Sequence, residues 1–348
     1  MLRALAAVVL VAALLPERAR AVACESDEAL THAAAELIAA GGPLSPYVLA
    51  RAARDAGSDA PVVHALRDVD GDDARVASWV TALRLRADAP LVCGEAWGEH
   101  GRLVLAAARA GTLAIDADDP ALLRGTLAPG FSAPELVAHG ADGALVRLGV
   151  TPHELATGIA LAHLVELPAR IQLLATGPHG PTPIAERTLP NPGRGAGTRS
   201  QRALPSPGLG AGTWSQRTPP EGRIGARVAE LREAHGASEL RANRLLEREA
   251  AAHAERVCAE GRVAHTLEPG EDPETRLARH RIRARVVGEV VARASSPAAA
   301  MDALRESPSH RYTLADRRFT DVGIGLARDS RGRTCLVVLL ASWPRYAP

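Results

Sequence analysis

Two consecutive 15-residue repeats divide this chain into two halves. They read LPNPGRGAGTRSQRA and LPSPGLGAGTWSQRT and occupy residues 189–218. A segment so rich in Pro, Gly, Ser and Thr, with almost no apolar periodicity, cannot bury enough surface to offset the entropy of ordering it. The repeats therefore predict a flexible linker over 189–220 between two folded parts. A wall-binding or partner-binding tract is the alternative interpretation.

The first 23 residues have the pattern of a cleavable export signal. Arg3 supplies the positive start, and an apolar run follows over residues 4–15. This run is shorter than the roughly 20 residues that a membrane-spanning helix needs. Small residues at Ala21 and Ala23 provide cleavage motifs. The sequence predicts a secreted, periplasmic or cell-surface protein without a transmembrane segment. Lipid anchoring at Cys24 is an alternative.

Export makes the four cysteines candidates for disulfides. Cys24 and Cys93 precede the linker, whereas Cys258 and Cys335 follow it. Four cysteines allow three pairings, and pairing within each half is the simplest. Each such bridge would stabilise the fold by about 4 kcal/mol in the chain-entropy model. A disulfide at Cys24 would compete with its lipidation.

In the half before the linker, the pattern of apolar residues changes near residue 90. Helical spacing of apolar residues predicts helices over 25–40, 46–56 and 74–87, and hence a helical lobe at 24–90. Short apolar runs separated by Gly and Pro then predict a β-sandwich-like module at 91–188, with GPHGP as a turn. No catalytic or ligand-binding motif is evident in this half.

Composition excludes one broad class of partner. The formal net charge is +1, and aromatic residues make up 3% of the chain. A nucleic-acid-binding protein needs a basic surface or aromatic stacking platforms. We therefore expect no nucleic-acid partner.

The half after the linker contains an ordered series of motifs. A helix over 242–260 ends at Gly261, and His265 follows in GRVAHT. The motifs GEV, which contains Glu289, and SPSHR, which contains His310, come next. The apolar strands DVGIGLA and CLVVLLA close the series. In this order the motifs resemble those of bacterial CAP (SCP-like, cysteine-rich secretory) domains.

The resemblance covers 221–343 and implies a three-layer α-β-α sandwich, so the predicted fold class is α/β. It also implies that His265, Glu289 and His310 converge in one binding cleft. Two imidazoles and one carboxylate can hold a divalent ion such as Zn²⁺ and leave a position open for water. Alternatively, the three side chains only hydrogen-bond and hold loops together.

Two positions depart from the family pattern, and a third matches it. Val290 stands where the family commonly has Asn, and Leu304 where it favours Trp. The change at 290 removes an amide that could orient the cleft, whereas the change at 304 should alter packing only. Arg311 matches the family and is expected to pair with a carboxylate or to hold an anion.

These features favour a non-catalytic binding module over an enzyme. Its CAP cleft would take a small apolar or cell-envelope ligand, or a protein partner. The alternative is a metal-assisted, peptidase-like hydrolase with Glu289 as metal ligand or general base. No second carboxylate with an obvious catalytic place supports that alternative.

Overall fold

The structure is a computed structural model. It describes residues 24–189 and 220–344, apart from positions 43, 100, 165 and 282. The predicted export signal and the repeats of the predicted linker lie outside the described residues, except that residue 189 ends a strand. None of the helices in the described ranges is long and apolar enough to cross a membrane.

The first part of the described chain is a four-stranded sheet covered by helices. The elements are β1 (Glu25–Ser26), α1 (Glu28–Ala40), α2 (Pro46–Asp55), β2 (His64–Asp68), α3 (Asp73–Arg84), β3 (Leu91–Gly98) and β4 (Gly101–Ala108). The strand order is β1-β3-β4-β2, with β1 parallel to β3 and the other pairs antiparallel. Helix α1 lies directly on β3, because a Cβ at Gly94 would come 2.1 Å from the backbone nitrogen of Thr31.

This sheet differs from the predicted division of the N-terminal half. The three predicted helices are present as α1, α2 and α3. However, β1 and β2 come from 24–90 and pair with β3 and β4 from 91–188. The structure therefore does not separate a helical lobe from a β-rich module at residue 90.

The rest of the N-terminal half is built from two small sheets. The elements are β5 (Gly111–Ile115), β6 (Leu122–Leu127), β7 (Ser132–His139), β8 (Leu145–Gly149), α4 (Pro152–Thr157), β9 (Ile159–Ala160), a 3₁₀ turn (Leu161–His163), β10 (Ala169–Gly177) and β11 (Gly180–Leu189). The sheet orders are β5-β6-β9 and β11-β10-β7-β8. Leu113 and Leu123 of one sheet share a core with Leu136 and Ile171 of the other. This part is therefore β-sandwich-like, and the predicted turn connects β10 to β11.

The C-terminal half is a mixed sheet between two layers of helices. The elements are α5 (Pro220–Ala234), β12 (Arg241–Ala242), α6 (Arg244–Glu260), α7 (Pro273–Arg279), β13 (Val286–Ala294), α8 (Pro297–Glu306), α9 (Pro308–Ala315), β14 (Asp321–Arg328) and β15 (Thr334–Ser342). The strand order is β12-β14-β15-β13. Val338 and Leu340 of β15 pack in a cluster with α5 and α8, whereas Val337 and Leu339 pack with α6 and α7. Because side chains alternate along a strand, β15 is buried on both faces. The predicted three-layer sandwich and the α/β class are confirmed.

Close packing of α6 on β14 depends on the two glycines of the VGIG motif in this strand, Gly323 and Gly325. A Cβ at Gly325 would lie 2.1 Å from the carbonyl carbon of Ala250, and one at Gly323 would come equally close to the α6 backbone. Asn243 caps the start of α6 through its side chain, and Gly261 ends the helix at φ 69°. A left-handed residue at this position favours glycine, so the predicted C-cap is confirmed.

Each half of the chain contains one disulfide. Cys24 pairs with Cys93 of β3, and Cys258 of α6 pairs with Cys335 of β15. The Cα–Cα distances of 5.8 and 5.7 Å are normal for disulfides. The expected pairing within each half is confirmed. A Cys24 sulfur held in this bridge is not available for a lipid thioether.

Candidate functional site

The predicted cleft residues lie on three different elements of the C-terminal half. His265 lies in the loop after α6, Glu289 in the edge strand β13, and His310 in the first turn of α9. The Nδ1 of His265 lies 3.0 Å from Oε1 of Glu289. Because a carboxylate can only accept, this imidazole nitrogen carries the proton and donates it. The side chain of Glu289 is 1% exposed and that of His265 is 21% exposed. Solvent therefore contacts the pair through His265.

His310 lies near this pair without a hydrogen-bond partner for one ring nitrogen. Its Nδ1 is buried and makes no hydrogen bond. Burial, together with the neighbouring His265, lowers the pKa of His310 to about 3. His310 is therefore a neutral ring at physiological pH.

Arg276 of α7 forms an ion pair with Glu289 that the sequence did not indicate. Its guanidinium contacts Oε2 of Glu289 and is only 3% exposed. The same side chain donates to the carbonyl oxygens of His265 at 2.8 Å and of Glu271 at 2.9 Å. Burial alone would raise the pKa of the Glu289 carboxyl. The hydrogen bond from His265 and the positive charge of Arg276 outweigh it and lower that pKa. Glu289 is therefore a carboxylate with both oxygens engaged.

His253 of α6 completes the group around Glu289. It is fully buried, and its Nε2 donates to the carbonyl oxygen of Ala264 at 2.9 Å. The same nitrogen lies 3.7 Å from Oε1 of Glu289. Burial lowers the pKa of His253, so the ring is neutral. The sequence did not single out His253, and the structure shows that the core at this point adjoins a carboxylate.

This arrangement does not fit a bound divalent metal. A His-His-Glu site needs a carboxylate oxygen directed at the ion. Here His265 occupies Oε1 of Glu289 and Arg276 occupies Oε2. Across the described parts of the chain, no three His, Cys, Asp or Glu side chains are grouped so as to hold a metal ion. With Glu289 hydrogen-bonded to His265 and paired with a buried guanidinium, the geometry supports the hydrogen-bonded alternative for these residues.

The two departures from the family pattern both lie in the core. Val290 is fully buried in the cluster with α5 and α8, and Leu304 is 1% exposed in the same cluster. Since neighbouring strand residues point to opposite faces, Val290 points away from the side of β13 that carries Glu289. The valine therefore contributes packing, and the polar group that contacts Glu289 is supplied by Arg276.

Arg311 does not make the expected pair with a carboxylate among the described residues. Its Nε donates to the carbonyl oxygen of Arg305 at 2.8 Å. One terminal nitrogen lies 3.0 Å from Nε2 of His139 at the end of β7. The site is therefore in contact with the N-terminal half, which the sequence could not indicate.

A cavity lies elsewhere, in the N-terminal half. It has a volume of about 660 Å³ and is lined only by residues of the N-terminal half, including Asp27, Ser58, Arg109 and Arg187. Its two arginines already have partners: Arg109 pairs with Asp27, and Arg187 donates to backbone carbonyls. This crevice contains none of the residues that the sequence singled out.

A family profile matches most of the C-terminal half. The family profile that matches residues 226–340 is described as CAP, the cysteine-rich secretory protein family. A search of curated proteins gives no match. Among solved structures, an outer surface protein from Borrelia burgdorferi is similar at 22% identity over 36% of this chain and 93% of that chain, with a TM-score of 0.34. An extracellular protein containing a SCP domain from Bacillus anthracis is similar at 19% identity over 35% and 40% of the two chains, with a TM-score of 0.33. A cysteine-rich secretory protein from Staphylococcus aureus is similar at 11% identity over 58% and 64%, with a TM-score of 0.30.

Proposed function

Since residues 226–340 form a CAP domain, we propose that this protein is a non-catalytic binding protein of the cell exterior or envelope. Its ligand is a small apolar or cell-envelope molecule, or a protein partner. The observation that carries the proposal is the state of Glu289. The carboxylate at the predicted cleft is ionised, buried and held by Arg276 and His265.

A hydrolase would need a different arrangement at this place. A general base must have a lone pair directed at the attacking water, and a metal needs a free carboxylate oxygen. Both oxygens of Glu289 already accept a hydrogen bond, one from His265 and one from the positively charged Arg276, which makes this carboxylate a weaker base. The hydroxyl of Ser309 lies 3.2 Å from that of Ser307, which gives it a serine partner and not a base. The site therefore supports binding better than turnover.

The location outside the cytoplasm is supported by two independent features. Residues 1–23 have the charge and apolar pattern of an export signal. The two disulfides are of the kind that persists in oxidising compartments. A CAP domain with these features is expected to meet its ligand at the cell surface or in the surrounding medium.

The proposal is tested by measuring zinc and turnover on the full mature chain. We expect the wild-type protein to retain no zinc above a His265→Ala/His310→Ala variant after dialysis against micromolar zinc. We also expect it to hydrolyse neither casein nor a p-nitrophenyl ester. Sedimentation with insoluble cell-wall material and with phosphatidylglycerol vesicles provides the binding arm.

An arginine variant sharpens the test. Arg276→Gln removes the charge that occupies Oε2 of Glu289, so this variant should gain zinc, up to about one per chain. Arg279→Gln is the matched control, because Arg279 lies on the same helix, is half exposed and pairs with Glu271 instead. About one zinc in the wild-type chain, lost in the double-histidine variant together with hydrolysis, would refute the proposal.

A further inference from the structure

We propose that the β10–β11 hairpin is a reversible latch, by which the N-terminal half closes the CAP site. The latch contacts two surfaces of the CAP domain: the loop 262–266, which carries His265, and the first turn of α9, which carries His310. The inference rests on the proposed function in that it regulates access to the same site. Its partner surface belongs to this chain itself.

The tip of the hairpin lies against the His265 loop. The Nδ1 of His179 donates to the carbonyl oxygen of Thr266 at 2.9 Å. In return, the amide of Thr266 donates to the carbonyl oxygen of His179 at 3.2 Å. The other ring nitrogen of His179 contacts Arg262 and lies 3.5 Å from Asp88. A Cβ at Gly180 would lie 3.5 Å from Cβ of His265, which is ordinary van der Waals contact.

The body of the hairpin lies against the start of α9. The side-chain oxygen of Gln172 accepts from the amide of Ser309 at 3.0 Å and from the hydroxyl of Ser307 at 3.1 Å. Gln172 is 2% exposed, and its amide nitrogen donates to Glu186 of β11. Gln172 is therefore held on one side by its own sheet and on the other by the CAP domain. It satisfies an amide of the first turn of α9, which has no partner within the helix.

The character of this interface supports reversible docking. The contacts of the hairpin described above are hydrogen bonds and ion pairs, including the pair between Arg170 of β10 and Glu306 of α8 at 3.2 Å. Apolar packing between the halves includes Leu145 of β8, which is only partly buried against the cluster of α5 and α8. Each disulfide lies within one half, so no covalent link joins the hairpin to the CAP domain apart from the chain itself. Polar interfaces within a chain resemble those of transient complexes, for which relative movement is expected. Separation of the halves would expose the loop 262–266 and the start of α9 together.

The test uses the full chain with a protease site inserted between residues 203 and 204. The latch is weakened from the CAP side by the double variant Glu306→Arg/Ser307→Ala. This variant repels Arg170 and removes one donor to Gln172, and it leaves the cleft residues unchanged. Glu255→Arg is the matched control. Glu255 is an exposed residue of α6, and α6 packs on the face of the C-terminal sheet opposite to the face that α8 covers.

Three readouts require no ligand. After cleavage, the wild-type halves should co-elute in size-exclusion chromatography at micromolar concentration, and the latch variant should weaken their association about tenfold or more. In the uncleaved chain, the amides of Thr266 and Ser309 should exchange about tenfold faster in the variant, whereas those of β15 stay protected. His265 should react faster with diethyl pyrocarbonate.

The outcomes separate this inference from the proposed function. Wild-type halves that separate on cleavage, or exchange and modification rates that are the same in the latch variant and the Glu255→Arg control, would overturn the latch. Neither result depends on whether the site binds or hydrolyses. Conversely, zinc-dependent turnover would overturn the proposed function and leave the docking measurements unaffected.

Discussion

Acid should weaken the contact between the two halves because of His139. This side chain ends β7 and faces Arg311 of α9 and His235 beyond α5, with Arg170 and Asp142 also nearby. Burial, followed by the charge of Arg311, lowers its pKa from 6.5 to about 4. A lowered histidine pKa means that the unfolded chain binds the proton more readily. The contribution to stability is therefore fully present above about pH 6.5, and it is lost as the pH falls to about 4.

The size of the effect follows from that shift. At about 1.4 kcal/mol per pKa unit, a shift from 6.5 to about 4 corresponds to about 3 kcal/mol. His139 is partly exposed, and solvent screening reduces the effect to about 2 kcal/mol. In urea unfolding between pH 7.5 and 4.5, the wild-type chain should lose about 2 kcal/mol more than His139→Gln. The control His153→Gln removes an exposed histidine of α4 and should follow the wild type. Parallel pH profiles for wild type and His139→Gln, or an NMR titration of His139 with its midpoint near 6.5, would refute the reasoning.

Two further predictions concern the CAP fold. Gly325→Ala would place a Cβ 2.1 Å from the α6 backbone. It should cost about 3 kcal/mol or more, because a backbone can yield less than a side chain. Gly149→Ala, which has no atom within 4 Å of the new Cβ, should change stability by less than about 0.5 kcal/mol in the same thermal unfolding assay. Similar melting temperatures for the two variants would contradict the packing argument. Removal of the bridge between Cys258 and Cys335, which are 77 residues apart, should lower the free energy of unfolding by about 4 kcal/mol. A loss below about 1 kcal/mol would show that the bridge does not constrain the unfolded chain as expected.

The CAP domain could be predicted from sequence because its signals are local and ordered. Gly261 marks the end of α6 by the left-handed conformation that favours glycine. The apolar motif CLVVLLA is consistent with a strand buried on both faces, which is the position of β15. Each signal depends on a few neighbouring residues, so neither required knowledge of distant contacts.

The division of the N-terminal half was not predictable in the same way. Strand β1 is two residues long, and it pairs in parallel with β3 across 67 positions, from Glu25 to Val92. So short a strand has no periodicity of its own. Its place in the sheet is determined by long-range pairing and by the Cys24–Cys93 bridge, which lies next to it. A domain boundary placed at residue 90, where the helical spacing of apolar residues ends, therefore falls inside the sheet.

Arg276 shows a different limit. Residues 276–285 contain five arginines in ten positions, and nothing in that pattern distinguishes the one that is buried. Arg276 differs only in three dimensions, because α7 places it beneath the His265 loop with Glu289 within reach. The family resemblance indicated a carboxylate and two imidazoles, but it did not indicate the cation that faces them.

The cation of Arg276 changes the role of Glu289, because it holds this carboxylate in a buried ion pair. Removing one member of a buried ion pair typically costs about 3–5 kcal/mol, because it leaves a buried charge without a partner. Arg276 also binds the carbonyl oxygens of His265 and Glu271, so the pair fixes the loop between α6 and α7 as well as the charge of Glu289. Thr266, which follows His265, is one of the residues that the hairpin contacts. The ion pair therefore shapes the surface that the N-terminal half recognises. On this view, the residues that resemble a catalytic centre form the buried support of a binding surface.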